Sequence, residues 1–257
     1  MTFMKKFLAV PSLALFFVAL VSCSGSGLSG RGAAPTLPAP GTSPNIFKEY
    51  SRSGNSTMEG GWAAGMDMSG VSFNNARTAT LITPRHVVMA KHYQRAKGDQ
   101  IIFHNRAGKN LKRLIIQREN AVGDVTVGLL NQPVPSGYHP YALPTPKASY
   151  QELVDRPVIV SDQNRRLFIH QIANVSGGSI SFRQDPAKKY GWGKNLIVGD
   201  SGNPSFVISG KELVLIETHT FGGPGSGPFY GDPAVQAGLR AAVQKLDPAY
   251  QIRTKSL

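Results

Sequence analysis

From about Asn45 onward, apolar residues occur in short runs, each ended by Gly, Asn, Asp, Ser or Pro. Runs of that length with that punctuation predict strands rather than helices. Thr78 to Ile82 leads through Thr83-Pro84 into Val87 to Ala90. Gln100 to Phe103 and Leu111 to Gln117 flank Arg106 to Asn110, a hairpin turn, and Val125 to Leu130 is a further apolar strand. Gln132 to Pro146, rich in proline, predicts a joint between two halves. The second half repeats the style, with strands over Pro157 to Val160, Leu167 to Ile172, Ser179 to Phe182, Phe206 to Ile208 and Glu212 to Thr218. Turns fall at Asp162-Gln163-Asn164, Ser176-Gly177-Gly178 and Ser209-Gly210-Lys211, Leu196 to Val198 leads into a glycine-flanked serine, and Phe221 to Pro228 predicts a glycine-rich loop.

A helical period appears only near the end. Asp232 is placed to cap a helix with Pro233 at its first position, Val235, Leu239, Val243 and Leu246 share one face, and Asp247-Pro248 stops it. Two sets of about six strands around a proline-rich joint, closed by one helix, predict an all-β fold: two six-stranded antiparallel β-barrels and a C-terminal α-helix. The boundaries expected are barrel 1 at about 45–138, barrel 2 at about 139–230 and the helix at about 232–247.

Residues 1–44 have a different character. Lys5 and Lys6 precede an apolar stretch, Phe7 to Val21, too short to span a bilayer comfortably, which predicts a secretory leader over 1–22. The leader ends in Leu20-Val21-Ser22-Cys23, similar to the lipobox of bacterial lipoproteins, and Cys23 is the single cysteine of the chain. That resemblance implies acylation of Cys23 and insertion of the acyl chains in a bilayer, with Ser24 implying the outer membrane of the cell envelope. Residues 23–44 are rich in Gly, Ser, Ala and Pro and cannot build a core, so they predict a tether. With Cys23 modified, no disulfide is available, and the domain at 45–257 relies on packing and hydrogen bonds.

Charge adds a further partner class. The formal net charge is +13, and loss of Lys5 and Lys6 with the leader leaves about +11. Between Arg85 and Arg118 nine Lys/Arg stand against one acid, Asp99. Such a stretch predicts either a solvated basic face or a site for an anionic surface polymer. Without interleaved aromatics or a helical reader, nucleic acid is not an expected partner.

The chemistry-bearing stretch is Val198 to Pro204, in which Gly199 and Gly202 flank Asp200-Ser201. Glycines there let successive amides turn toward one point, as an oxyanion requires, although the same composition also suits an ordinary turn. A serine hydroxyl needs a base and an orienting carboxylate. His92 lies just past the end of a predicted strand, and Asp124 stands at the mouth of another, where a desolvated acid needs a partner such as an imidazole N–H. His86 is expected in a turn.

These segments resemble the trypsin/chymotrypsin-type serine proteases. LITPRHVVMAKH is similar to the family's histidine segment, GDVTVGLL to its aspartate strand and GDSGNP to its serine loop, in the order His, Asp, Ser, over roughly Thr78 to Leu246. The resemblance implies His92 as general base and acid, Asp124 as its orienting partner, Ser201 as nucleophile and the Gly199 and Ser201 amides as oxyanion donors. It implies a pocket with Asn195 at its floor and Thr218, His219 and Thr220 along it, hence an uncharged residue at the cleavage position. No metal or cofactor is implied, a protein or peptide is the substrate, and a monomer is expected. The alternatives are an esterase, or a non-catalytic relative that binds peptides or anionic polymers. One departure stands out: no activation site precedes Thr78, so Asp200 needs an internal partner in place of the freed N-terminal ammonium of many relatives, unless the tether is first cut.

Overall fold

The structure, a computed structural model, describes residues 42–184 and 193–257. The leader, Cys23 and the tether as far as residue 41 lie outside the described residues. The first sheet comprises β1 (Val71–Ser72), β2 (Ala79–Thr83), β3 (His86–Ala90), β4 (Gln100–His104), β5 (Asn110–Asn120) and β6 (Val125–Leu130). The second comprises β7 (Pro157–Ser161), β8 (Leu167–Ser176), β9 (Ser179–Arg183), β10 (Pro204–Ser209), β11 (Glu212–Thr218) and β12 (Ser226–Pro228). The fold is therefore all-β, two curled six-stranded antiparallel sheets compatible with a chymotrypsin-like double barrel, followed by helix α1 (Pro233–Leu246).

Both sheets share one cyclic strand order and differ only in where the ring opens. The first runs β1-β2-β3-β6-β5-β4, and the second runs β11-β10-β7-β8-β9-β12, the same cycle cut between its fifth and sixth strands. The gap in the first sheet is spanned by side chains: Ile102 N–H donates to Ser72 Oγ (3.2 Å) and Asn74 Oδ1 (3.1 Å). In the second, the Tyr230 N–H reaches the Ile216 carbonyl at 2.9 Å.

Strands β2, β3, β6, β7, β10 and β11 are apolar on both faces because each face meets a separate core. Leu81, Val87 and Met89 fill the first sheet's interior, whereas Ile82 and Val88 face a central cluster between the sheets. In the second sheet Val158, Val160, Val207, Val214 and Ile216 point inward, and Ile159, Phe206, Leu213 and Leu215 join the same central cluster. A one-residue register slip would exchange these sets, so two-sided burial fixes the pairing.

Asp232 Oδ1 accepts from the Ala234 and Val235 amides (2.9 and 3.0 Å), capping α1 at the expected place. The helix follows the second sheet in sequence but packs on β5 and β6 of the first, burying Val235, Leu239 and Val243. Each such side chain contributes about 1.5–3 kcal/mol. The joint between the halves is more ordered than a linker: Leu143–Pro144 pairs in parallel with Thr254–Lys255, drawing the C-terminus back under the fold. Two readings change. Phe221 to Pro228 is not a loop throughout, since Ser226–Pro228 forms β12 and pairs with β9. His86 is not a turn residue but a wholly buried part of β3, its Nδ1 2.8 Å from Thr83 Oγ1; burial lowers its pKa to about 4. Among the described residues no helix is long and apolar enough to cross a membrane.

Candidate active site

Strands β3 and β6 are antiparallel neighbours, with Ala90 opposite Val125, so the residues leaving β3 meet those entering β6. His92 lies on a single 3-10 turn, Lys91–Tyr93, directly after β3, and Asp124 immediately precedes β6. Lys91 N–H donates to the Asp124 carbonyl (3.0 Å), and His92 N–H donates to Asp124 Oδ1 (2.9 Å). The backbone thereby sets the two side chains face to face, with His92 Nδ1 at 2.6 Å from Asp124 Oδ2. A carboxylate can only accept, so Nδ1 carries a proton, and in the neutral ring Nε2 is then the acceptor. Nε2 stands 2.9 Å from Ser201 Oγ. A continuous relay from carboxylate to imidazole to hydroxyl results, with the imidazole 45% exposed and the carboxylate 23%.

Ser201 reaches this place because its loop is tied to both sheets. Gly202 N–H donates to the His219 carbonyl (2.8 Å) and His219 N–H to the Asn203 carbonyl (3.0 Å), which hold the loop to the end of β11. Thr78 Oγ1 donates to the buried Asn203 Oδ1 at 2.9 Å, linking the loop to the start of β2. Gly202, at φ +83°, passes so close to the end of β3 that a Cβ would sit 3.4 Å from the Ala90 nitrogen. Gly199 is also left-handed, at φ +96°. Gln163 Nε2 donates to the Val198 carbonyl (3.0 Å), and in a trans peptide the Gly199 N–H then points the opposite way. Neither the Gly199 nor the Ser201 amide donates to another described group.

Thr220 Oγ1 donates to Asp124 Oδ2 at 3.0 Å, giving that oxygen two donors together with His92. This differs from the place at a pocket entrance that the sequence suggests. Of the other residues expected along the pocket, two are buried and one is exposed. Asn195 is exposed, with Oδ1 accepting from Gln184 at 2.8 Å. Thr218 is buried against the Tyr230 hydroxyl (2.7 Å). His219 is buried between the Glu217 carboxylate (2.7 Å) and the Ser161 carbonyl (3.2 Å). The cause is register: β11 ends at Thr218, so the cleft is met by Thr220 and the next residues, of which Phe221 is 66% exposed.

Leu196 takes the buried place. Its N–H donates to the Gly223 carbonyl (2.6 Å), the Gly223 N–H donates back (3.1 Å), and a Cβ on Gly225 would meet both the Leu196 and Phe182 side chains. A cavity of about 640 Å³ is bordered by Asp124 and Thr220 and lined further by Val122, Asn174, Ile180, Phe221 and Pro228 among others. Among the described residues no group of three or more His, Cys, Asp or Glu is placed to hold a metal ion.

The basic stretch is less free than its composition suggests. Arg85 pairs with Asp247 (2.7 Å), the 4% exposed Arg95 pairs with Asp99 (3.2 Å), and Arg113 and Arg118 donate to backbone carbonyls. Lys91, Lys97, Arg106, Lys109 and Lys112 remain on the surface. No family model matches the chain, and no curated protein matches it in sequence. What the site can do is therefore read from its geometry.

Proposed function

We infer that the protein is a serine endopeptidase of trypsin-like type, exported and held to the cell envelope through acylated Cys23. The observation that carries this reading is the unbroken relay Asp124–His92–Ser201, with 2.6 and 2.9 Å between donor and acceptor atoms. In the reaction, Ser201 Oγ attacks the substrate carbonyl carbon while His92 Nε2 takes the hydroxyl proton. The carbonyl oxygen becomes an oxyanion and accepts from the Gly199 and Ser201 amides. Collapse breaks the C–N bond, the Nε2 proton passes to the leaving amine, and an acyl-enzyme remains. Water, deprotonated by His92, attacks the ester and returns Ser201. Asp124 holds the tautomer and stabilises the imidazolium throughout.

Asn195 to Val198 and Thr220 to Gly223, the described segments leading to and from the nucleophile loop, carry no acid, which favours uncharged residues at the cleavage position. The cavity beside Phe221 is open to further side chains of a bound peptide. The surface lysines at 91–112 would bring the tethered enzyme to anionic polymers of the envelope.

The test is labelling of the folded full-length protein with a fluorophosphonate, beside Ser201→Ala. Labelling of the wild type alone, with cleavage of a peptide library at uncharged residues and not at Arg or Lys, is expected. Labelling without peptide cleavage would make the protein an esterase. Absence of labelling would leave a peptide- or polymer-binding module.

A further inference from the structure

Asp200 precedes the nucleophile and its side chain is 1% exposed. A buried carboxylate in that position is costly unless it is paired and hydrogen-bonded. Its oxygens accept from the Gln163 amide (3.1 Å) and the Ile197 amide (2.9 Å), and Lys194 Nζ lies 3.4 Å away. The same ammonium is 2.7 Å from Asp162 Oδ2, itself fully buried and gripped by Arg166 (2.8 Å). Two buried carboxylates thus share two cations, with Lys194 common to both acids and nearer Asp162.

The Lys194 main chain is held as well. Its N–H donates to His170 Nε2 (3.1 Å), and His170 Nδ1 donates to the Pro224 carbonyl (2.7 Å). That arrangement requires a neutral ring, in keeping with a pKa that burial lowers to about 4. The turn that supplies Asp162 also supplies Gln163, whose side-chain amide holds the Val198 carbonyl and whose main-chain amide holds Asp200. One turn between β7 and β8 therefore docks the serine loop at three points, none of which involves a chain terminus.

We propose that Lys194 is the built-in counter-ion that sets the Ser201 loop in its reactive shape with the N-terminus uncut, and that Gln163 turns the Gly199 amide toward the oxyanion. Both are positioning residues, and the proposal deepens the serine-hydrolase reading and rests on it. The physical logic is that Asp200 is drawn inward by Lys194 and the two amides. The Val198-Gly199 peptide is held at its carbonyl, and Gly199 alone tolerates the resulting left-handed backbone. The partner that the sequence leaves missing for Asp200 is thus six residues before it.

The experiment uses the full-length chain, its N-terminus checked by mass spectrometry, and measures the fluorophosphonate labelling rate together with amide exchange over 196–203. Lys194→Met is expected to slow labelling about a hundredfold, comparable to losing one oxyanion donor. Michaelis constants for cleaved peptides should hold, and exchange across the loop should rise. Lys194→Arg should keep most of the rate, and propylammonium should restore part of it to Lys194→Ala, which a general folding defect would not allow. Gln163→Ala should slow labelling about tenfold with unchanged Asp200-side exchange protection. Labelling that appears only after N-terminal cleavage, or a Lys194→Met protein labelled at the wild-type rate, overturns the proposal. If no form labels, cut or uncut, Ser201 is not a nucleophile, and the exchange data still decide whether Lys194 holds the loop.

Discussion

Replacing Thr220 by Val separates two roles that the sequence and the structure give this residue. Valine keeps the β-branched shape and removes the hydroxyl that donates to Asp124 Oδ2 at 3.0 Å. Hydrogen bonds to a charged group contribute about 1.5–3 kcal/mol. The Asp124 side chain is 23% exposed, so water replaces part of the lost donor and the lower end applies. About 1.5 kcal/mol corresponds to roughly a tenfold fall in kcat/KM, since each 1.36 kcal/mol is tenfold in rate. On the proposed mechanism the loss should appear in kcat, because the hydroxyl holds Asp124 in the orientation that sets the His92 tautomer. Thr220→Ser keeps the donor and should stay within about twofold. Kinetics on a small peptide ester and a side-chain profile at the cleavage position read both quantities. A Val variant with unchanged kcat and a shifted profile would refute the donor role and return Thr220 to the pocket entrance.

Acid should destabilise the fold through its buried imidazoles. His86 and His170, each held at a pKa of about 4 by burial, stay neutral in the folded state while the unfolded chain takes up protons below about 6.5. Their contribution is therefore complete above pH 6.5 and is lost as pH falls from there toward 4, by about 3 kcal/mol for each at the lower limit. Urea melts at pH 7.5 and 4.5 measure this, and equal midpoints would contradict it. At the C-terminal helix, Asp232→Ala removes both amide contacts of the cap and should cost about 1 kcal/mol, read as a shift in urea midpoint at unchanged slope.

The helix and the longer strands were legible because each is specified locally, whereas the two- and three-residue strands Val71–Ser72 and Ser226–Pro228 were not. Val125–Leu130 and Glu212–Thr218 have the bounds that their apolar runs suggest, and Asp232-Pro233 starts the helix where cap chemistry puts it. The parallel pairing of Leu143–Pro144 with Thr254–Lys255 left no trace in the pattern, since two-residue strands have no period and their partners lie far apart in the chain. The site divides in the same way. His92, Asp124 and Ser201 each follow a local motif, and antiparallel pairing of β3 with β6 delivers the first two together. Thr220 donates to Asp124 rather than standing at a pocket entrance, because counting along a strand assumes where it ends, and β11 ends at Thr218.

By itself, then, the sequence determined an all-β chain in two matching halves, a capped terminal helix and three residues suited to a nucleophilic relay. Tertiary structure decided where Thr220 donates, that Leu196 is buried with its main chain paired to Gly223, and that Lys194 stands between Asp162 and Asp200. The physical reason is that strand periodicity and capping act over a few residues, whereas a buried carboxylate is neutralised by whichever cation the fold brings within reach.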